Sequence, residues 1–531
     1  MVVPKTMSSP FRHTRLLAVY AFVVLLVWFL VAVFAENDNA DLEDERSLPH
    51  VKATDVIGDD KTCNPGSENA LRNLHFIEWV LAGNSILHQG IRWPFKNPNL
   101  TTGGVSQWEG VVLTSEVPKG AILSRAHKKT FLGVSPATKA KFKGVDWSGA
   151  QLDPNTSPSA LRLRLQDIML AMELMKEKLL GEESFWAPYI DILPELDQMT
   201  QVETFSEDQL EEFHHTSVVL AARQNKEKFS KVTRFMVEHR LLEKDSVDLF
   251  RWAYLIVRTR AIQKREKGSG AFVDEMILVP FIDSIRIDAR DAANVNVVFD
   301  EDSLILFSTR AIGEQEEAVM SFGQYANIYY LMNLGTVPES NMDEAFLIKL
   351  AGFIRDDPLK IEKEAVWKSI STNSGPDPYL LFFDIRGVNN KLLPFFRLLF
   401  AESEDDVTPQ VFDAPFRGEM ESMALAACAR QIENDVGADF LKKLDADRKS
   451  LERTDIKWTK EKLMALKYRS YRKEILGRNQ CYYKMMYLRQ VAEIDLDSKK
   501  DLEEYYTAYD QISKESLEAC FGPDWDPEVR D

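Results

Sequence analysis

MILVPFIDSIRIDARDAANVNVVFDEDSLILFSTRAIGEQEEAVMSF, residues 276–322, decides the architecture. It holds four short apolar runs, MILVPFID, NVNVVF, SLILFS and AVMSF, rich in β-branched and aromatic residues and separated by turn-forming positions. That pattern predicts strands. Far upstream, between about 72 and 150, the runs are again short and turn-punctuated, as in EGVVLTSEV and GAILSR around Pro118-Lys119-Gly120. Between the two stretches the period changes. From Ser159 onward Leu165, Ile168, Met169, Met172, Met175 and Leu179 recur at three and four, predicting a helix to about Leu180 that stops at Gly181. Helical spacing continues through 207–243 and 246–265 and breaks at the loop REKGSG. Beyond about 340 nearly everything reads as helix, in blocks near 343–354, 390–401, 419–452, 457–476 and 499–519. A lone hairpin is only marginally stable, so the two strand segments are expected to share one sheet across the helical insert. The fold class is α+β, a split β-rich unit at 71–337 with an insert at about 159–270, followed by an all-α unit at 340–520.

The length of 531 residues suggests about three folding units and ample chain for a core. Lys plus Arg number 65 and Asp plus Glu 83, a net charge of −18 that repels phosphate backbones and argues against a nucleic-acid partner. With 45% hydrophobic and 28% charged residues the composition is globular rather than disordered or polytopic. Cys63, Cys428, Cys481 and Cys520 are too few for a disulfide scaffold, and no C-x-x-C spacing suggests structural zinc. Three pairings are open if all four pair, and Cys428 in the helical run MALAACAR reads as a buried thiol.

The first residues stand apart. LLAVYAFVVLLVWFLVAVFA, residues 16–35, has no charge or proline and as a helix spans about 30 Å. Lys5, Arg12 and Arg15 precede it, and Glu36, Asp38, Asp41, Glu43, Asp44 and Glu45 follow, which predicts a signal-anchor with the rest of the chain luminal or extracellular. Val33-Phe34-Ala35 also reads as a cleavage site, so a signal peptide of a secreted protein competes with it. Residues 36–70 form an acidic stalk, and the sequons Asn99-Leu100-Thr101 and Asn155-Thr156-Ser157 suit glycosylation in that topology.

Read without a family, the chain discloses no reaction. There is no nucleophile elbow, P-loop, H-E-x-x-H or G-x-G-x-x-G. His214-His215 would diverge by about 100° on a helix and could not grip one ion, and Gly268-Ser269-Gly270 lacks the strand-before, helix-after setting of a phosphate loop. No metal site is expected. Phe395, Phe396 and Phe400 read as a core stripe.

Several phrases in order nevertheless resemble the SET-domain branch that includes the Rubisco large-subunit lysine methyltransferase and the actin histidine methyltransferase. NLHFIEWV (73–80) resembles its opening helix, SFWAPYIDILP (184–194) its F-W-x-P-Y-I-x-x-L-P, and LFRWAYLIVRTRAI (249–262) its R-W-A-x-x-x-V-x-T-R. MILVPFID resembles the strand ending in Asp, AIGEQ (311–315) the turn before the catalytic strand, and LMALKYRSYRKEIL (463–476) a helix of the substrate-binding domain. The resemblance implies S-adenosylmethionine as cofactor, methyl transfer to a protein lysine or histidine, and a protein partner held by the helical C-terminal region.

The resemblance also assigns positions. Arg260 of Thr259-Arg260 would clamp the cofactor and Asp283 would open the D-x-x-N-H motif. The Asn-His pair falls on Arg286-Ile287, the glycine-rich turn on Trp108-Glu109-Gly110, the catalytic tyrosine on Phe322, and a later channel element on Leu334-Gly335-Thr336. The cofactor set is thus Glu109, Gly110, Arg260, Asp283, Arg286 and Ile287. Arg286 is expected to repel the cofactor's ammonium or to form a surface pair with Asp288 or Asp283. Departures at chemical positions, with structural phrases kept, support a second reading as a membrane-anchored pseudo-methyltransferase that scaffolds a partner. A third has Arg286 and Arg260 facing another anion in the old cleft.

Overall fold

In the computed structural model, which describes residues 51–57, 68–95, 110–150, 164–214, 217–267, 272–338, 340–371, 378–385, 387–412, 415–416, 419–436, 440–453, 456, 458–493 and 502–521, the two strand-rich stretches meet in one eight-stranded sheet. The upstream stretch gives β1 (Ile86–Leu87), β2 (Ile91–Phe95), β3 (Gly110–Leu113) and β4 (Ile122–His127). Downstream, β5 (Ile262–Lys267) and β6 (Phe272–Ile277) form their own antiparallel hairpin, and β7 (Arg286–Ile287), β8 (Val295–Phe299), β9 (Ser303–Ser308) and β10 (Glu317–Met320) complete the sheet. The order is β1-β4-β9-β8-β10-β3-β2, with β7 paired to β10 off that path. The halves are stitched twice, by β4 against β9 and by β10 against β3, both antiparallel. All four residues of β3 and of β10 are buried, which is why these strands read as continuous apolar runs rather than as alternation.

The main helices are α1 (Glu68–Ala82), α2 (Leu165–Leu180), α3 (Ser217–Glu238) and α4 (Val247–Arg260), then α5 (Lys360–Ile370), α6 (Leu392–Phe400), α7 (Glu419–Val436), α8 (Phe440–Leu451), α9 (Lys460–Glu493) and α10 (Leu502–Phe521). The helix α2 buries Ile168, Ala171, Met172 and Met175 and stops where Gly181 takes φ +57, as its spacing predicts. Buried side chains form two clusters. One centres on the sheet with Phe76, Trp93, Tyr189, Trp252 and Phe281; the other holds Trp367, Phe383, Phe395, Tyr468 and Tyr483. Residues of the insert between Val202 and Ala222 belong to the second cluster, so the insert ties the sheet to the C-terminal helices.

Four expectations are corrected. The helix expected over 246–265 ends at Arg260, because from Ile262 the chain pairs residue for residue with β6. The block at 343–354 is not helical: β11 (Ala345–Lys349) pairs with β12 (Leu380–Asp384), burying Phe346 and Ile348 while Leu347 points outward. An apolar run that short satisfies both periods, and the cross-strand partner decides. The helix expected over 457–476 continues as α9 to Glu493, and α5 lay outside the expected blocks. The single-pass membrane placement is withdrawn as well: among the described residues no helix is long and apolar enough to cross a membrane. The segment 16–35 that carried it lies outside the described residues, as do Cys63 and both sequons. Cys481 and Cys520 form a disulfide between α9 and α10, and Cys428 is a buried free thiol.

The C-terminal core encloses one ion pair almost completely. Arg397 donates from Nε and Nη2 to the two Glu421 oxygens at 2.8 and 2.6 Å and from Nη1 to the Val411 carbonyl at 2.9 Å. The Tyr509 hydroxyl donates to Glu421 Oε1 at 2.7 Å, and the backbone N–H of Phe416 to Oε2 at 3.0 Å. Their side chains are 4% and 0% exposed, so removing one partner strands a buried charge. Arg397→Met is expected to lower the unfolding free energy by about 3–5 kcal/mol in urea titration, and adding Glu421→Leu to recover most of the loss.

Candidate functional site

The site begins at a strained turn. Phe281, fully buried, holds φ +75 and ψ −54, a conformation a bulky residue rarely adopts. Its surroundings fix it: Ser284 Oγ donates to the Phe281 carbonyl at 2.6 Å and Asp283 N to the Val279 carbonyl at 3.0 Å. The turn carries the Asp283 carboxylate inward, where it accepts a hydrogen bond from the Tyr189 hydroxyl. Arg260, at the end of α4 and 5% exposed, donates from Nη1 to the Asp283 carbonyl at 3.1 Å. Burial pushes the Asp283 carboxyl up to about 6 against the lowering by Arg260 and by the Tyr189 hydrogen bond. Its Oδ1 has no hydrogen-bond partner. The structure thus brings Arg260 and Asp283 together and adds Tyr189, whose signal was the lone hydroxyl inside the apolar phrase FWAPYIDILP.

Three residues on, Arg286 opens β7, which runs parallel to β10 with Arg286 opposite Val319 and Ile287 opposite Met320. Its Nε donates to Glu317 Oε2 at 3.0 Å and its Nη1 pairs with Asp288. The expected surface pair is therefore corrected: the three side chains are only 15%, 7% and 9% exposed, and Glu317 is a partner the sequence did not reveal. One guanidinium thus faces two carboxylates in this cluster. Ile287 is buried in the sheet core. Gly110 starts β3, and a Cβ there would collide with the Glu317 carboxylate, so the space this glycine leaves open is filled from inside the chain. Glu109 and Trp108 lie outside the described residues. As they stand, these side chains do not fit the ammonium end of a bound amino acid, because the position that the resemblance sets beside it is a guanidinium already engaged twice.

Phe322 follows β10, half-buried against the sheet core, and carries no hydroxyl. Behind it Tyr325 stacks on Tyr329 with ring centres 3.9 Å apart, and Tyr330 meets Tyr329 edge-on at 5.9 Å. The Tyr330 hydroxyl is committed to the Asp288 carbonyl at 3.2 Å, whereas burial, helped by the neighbouring Tyr325, pushes the Tyr329 hydroxyl up to about 12. Gly335, at φ +63, closes the turn of Tyr330–Leu334; a Cβ there would come within 2.7 Å of Gln201 N, so only glycine fits the contact between this segment and the insert. The tyrosine run is held by a residue the sequence reading passed over. Glu344, 1% exposed, accepts from the backbone N–H of Asn327 at 2.8 Å and of Ala345 at 3.1 Å. Asn341 Nδ2 completes the node at Asn327 Oδ1 and the Tyr325 carbonyl, 2.8 and 2.9 Å away.

With this geometry in view, the chain proves similar in structure to the SET domain of LSMT bound to lysine and AdoHcy, at TM-score 0.55 and 15% identity, over 83% of this chain and 99% of that one. It is similar in the same way to Rubisco LSMT bound to AdoMet, at TM-score 0.55 and 15% identity, over 82% and 98%. No protein-family model and no curated protein matches the chain. The chain has the SET-domain fold, split by a helical insert and continued by a helical C-terminal region.

Burial pushes the Glu344 carboxyl up to about 8, its two backbone donors opposing. A raised acid binds its proton more tightly folded than unfolded, so its contribution is present below the ordinary carboxylate range and is lost as pH rises through about 8. Thermal unfolding followed from pH 5 to 9 is expected to show a falling midpoint across that window, and Glu344→Gln to flatten it.

Proposed function

We propose that this chain is a SET-fold protein of protein-methyltransferase type that has kept a protein-binding role and lost methyl transfer. The carrying observation is the Arg286–Glu317–Asp288 cluster, which occupies the place over Gly110 where the resemblance sets the amino-acid end of S-adenosylmethionine. Phe322 supports the same reading independently: a phenyl ring cannot orient an incoming amine through a hydroxyl. The nearest alternatives belong to a different part of the segment, and a displacement of about 1 Å already costs on the order of 100-fold. For the partner, the outer face of the β11–β12 hairpin supplies apolar area. Leu347 and Phe382 are direct cross-strand neighbours, 50% and 53% exposed, with the exposed Ile354 and Ile361 in the segment that links the two strands.

A second reading is a working S-adenosylmethionine-dependent lysine or histidine methyltransferase. It is favoured by the buried Tyr189–Asp283–Arg260 set and by the unpartnered Asp283 Oδ1.

One titration separates the two. Isothermal titration of the full chain with S-adenosylmethionine is expected to give no saturable heat up to about 1 mM. In parallel, labelled cofactor is expected to transfer no methyl to lysate protein. Binding in the micromolar range together with transfer that disappears in Arg260→Ala would replace the first reading by the second. Arg286→Asn tests the carrying observation directly, since breaking the cluster is expected to raise cofactor affinity above that of the parent chain.

A further inference from the structure

A cavity of about 550 Å³ lies away from the cluster just described, walled by one face of α3, one face of α4 and the turn at 203–206. On α3 its residues are Asn225, Lys226, Phe229 and Ser230, and on α4 Arg251, Tyr254 and Leu255, spacings that place each set on one helical face. The volume suits a small organic ligand. None of Gly110, Arg260, Asp283, Arg286 or Glu317 lines it.

The charges inside it are unequally engaged. Glu203, the carboxylate of the lining, is spent: its Oε1 pairs with Arg258 and its Oε2 accepts from Asn225 Nδ2 at 3.4 Å. Lys226 donates to the Phe205 carbonyl at 2.6 Å and reaches Glu207 at 3.6 Å. Arg251 is different. Its guanidinium gives one hydrogen bond, to the Glu203 carbonyl at 3.2 Å, and makes no ion pair among the described residues. In a chain of net charge −18, with 83 acidic residues, a half-buried arginine facing an open cavity without a carboxylate partner has donors to offer a bound anion. Beside it the half-buried Phe229 is backed by Phe250, stacked at 5.9 Å, and by Tyr254 at 5.6 Å, forming a rigid flat wall.

We propose that this cavity binds a small planar organic anion, a carboxylate or phosphate on a flat ring, with Arg251 and Lys226 on the anionic group and Phe229 against the ring. A planar fork matches either oxyanion through two parallel hydrogen bonds, so the guanidinium sets orientation and the aromatic wall sets shape. The inference stands apart from the loss of methyl transfer, because it uses no residue of the old cofactor cleft.

The test is isothermal titration of the full chain with benzoate, phenyl phosphate and inorganic phosphate. Saturable binding of benzoate or phenyl phosphate is expected below about 10 mM, with inorganic phosphate weaker than phenyl phosphate. Arg251→Gln is expected to weaken the ring-bearing anions by about tenfold or more, and Phe229→Ala to narrow the gap between phenyl and inorganic phosphate. Absence of saturable binding by both ring-bearing probes overturns the proposal, as does binding that neither substitution changes. Arg251 joins no ion pair among the described residues, so an unchanged unfolding midpoint is expected of Arg251→Gln; Phe229→Ala removes a ring packed on Phe250 and Tyr254, so a lowered but still cooperative unfolding transition is expected and confirms that the variant folds.

Discussion

The pairing of β10 with β3 is the constraint on which the rest depends. It sets Glu317 opposite Val112 and Ala318 opposite Val111, residues separated by more than two hundred positions, and β10 then takes β7 and β8 as parallel neighbours. Because a one-residue slip would turn every side chain to the other face, this register alone decides that Glu317 points over Gly110 and under Arg286. Asn294 locks it, donating to the Glu317 carbonyl at 2.8 Å and accepting from Val319 N at 2.8 Å. The helical insert is a consequence: with both of its ends anchored in one sheet, it folds back as α2, α3 and α4, and α4 delivers Arg260 to the Asp283 turn.

What could be read from the sequence follows interaction range. The strands of 295–299 and 303–308, the stop of α2 at Gly181 and the sharing of one sheet by two distant segments were legible, since period and turn residues are local signals. Where a short apolar run met two periods at once, as at 262–267 and 345–349, the partner strand decided and the sequence did not show it. The site was legible in the same measure. Arg260 and Asp283 were marked by the resemblance in the order of phrases, but the bond from Tyr189 spans 94 positions and the one from Arg286 to Glu317 spans 31, and no spacing rule reaches so far. Glu344 escaped because a glutamate before an apolar run reads as a helix surface; only the fold shows both its oxygens on backbone donors.

Some cations of this acidic chain gather around a shared carboxylate. Asp447, for instance, takes Arg469 at 2.9 Å and also pairs with Lys473, while Arg469 donates to the Glu212 carbonyl, so α8, α9 and the insert are joined at one carboxylate. His214 nearby is held below its ordinary range first by desolvation and then by Arg469 and Lys473, with Asp447 and Glu212 opposing. Buried pairs of this kind are weak net stabilisers beside apolar packing, but each strongly penalises any arrangement that separates its members. In this fold they specify how the insert meets the C-terminal helices more than how tightly.

Degree of satisfaction is then what separates scaffold from site. Arg397 and Glu421 meet several protein partners each, and nothing further is wanted of them. The Arg286 cluster belongs with that pair: its guanidinium faces two carboxylates, and Asp288 also receives Ala289 N at 2.7 Å. A cleft that satisfies itself has little to gain from a ligand, because any group entering must replace bonds already made. Asp283 Oδ1 is the opposite case, buried and without a hydrogen-bond partner. Since an unpaired polar group in a low dielectric is held at a free-energy cost, its persistence needs a reason outside the contacts already made. At Asp283 the strained Phe281 turn supplies one, for the backbone geometry that puts Arg260 on the Asp283 carbonyl also fixes where its carboxylate must lie. Arg251 differs from both: its guanidinium gives one hydrogen bond and faces an open cavity, so its remaining donors meet solvent, and exchanging that water for an oxyanion breaks no bond within the chain.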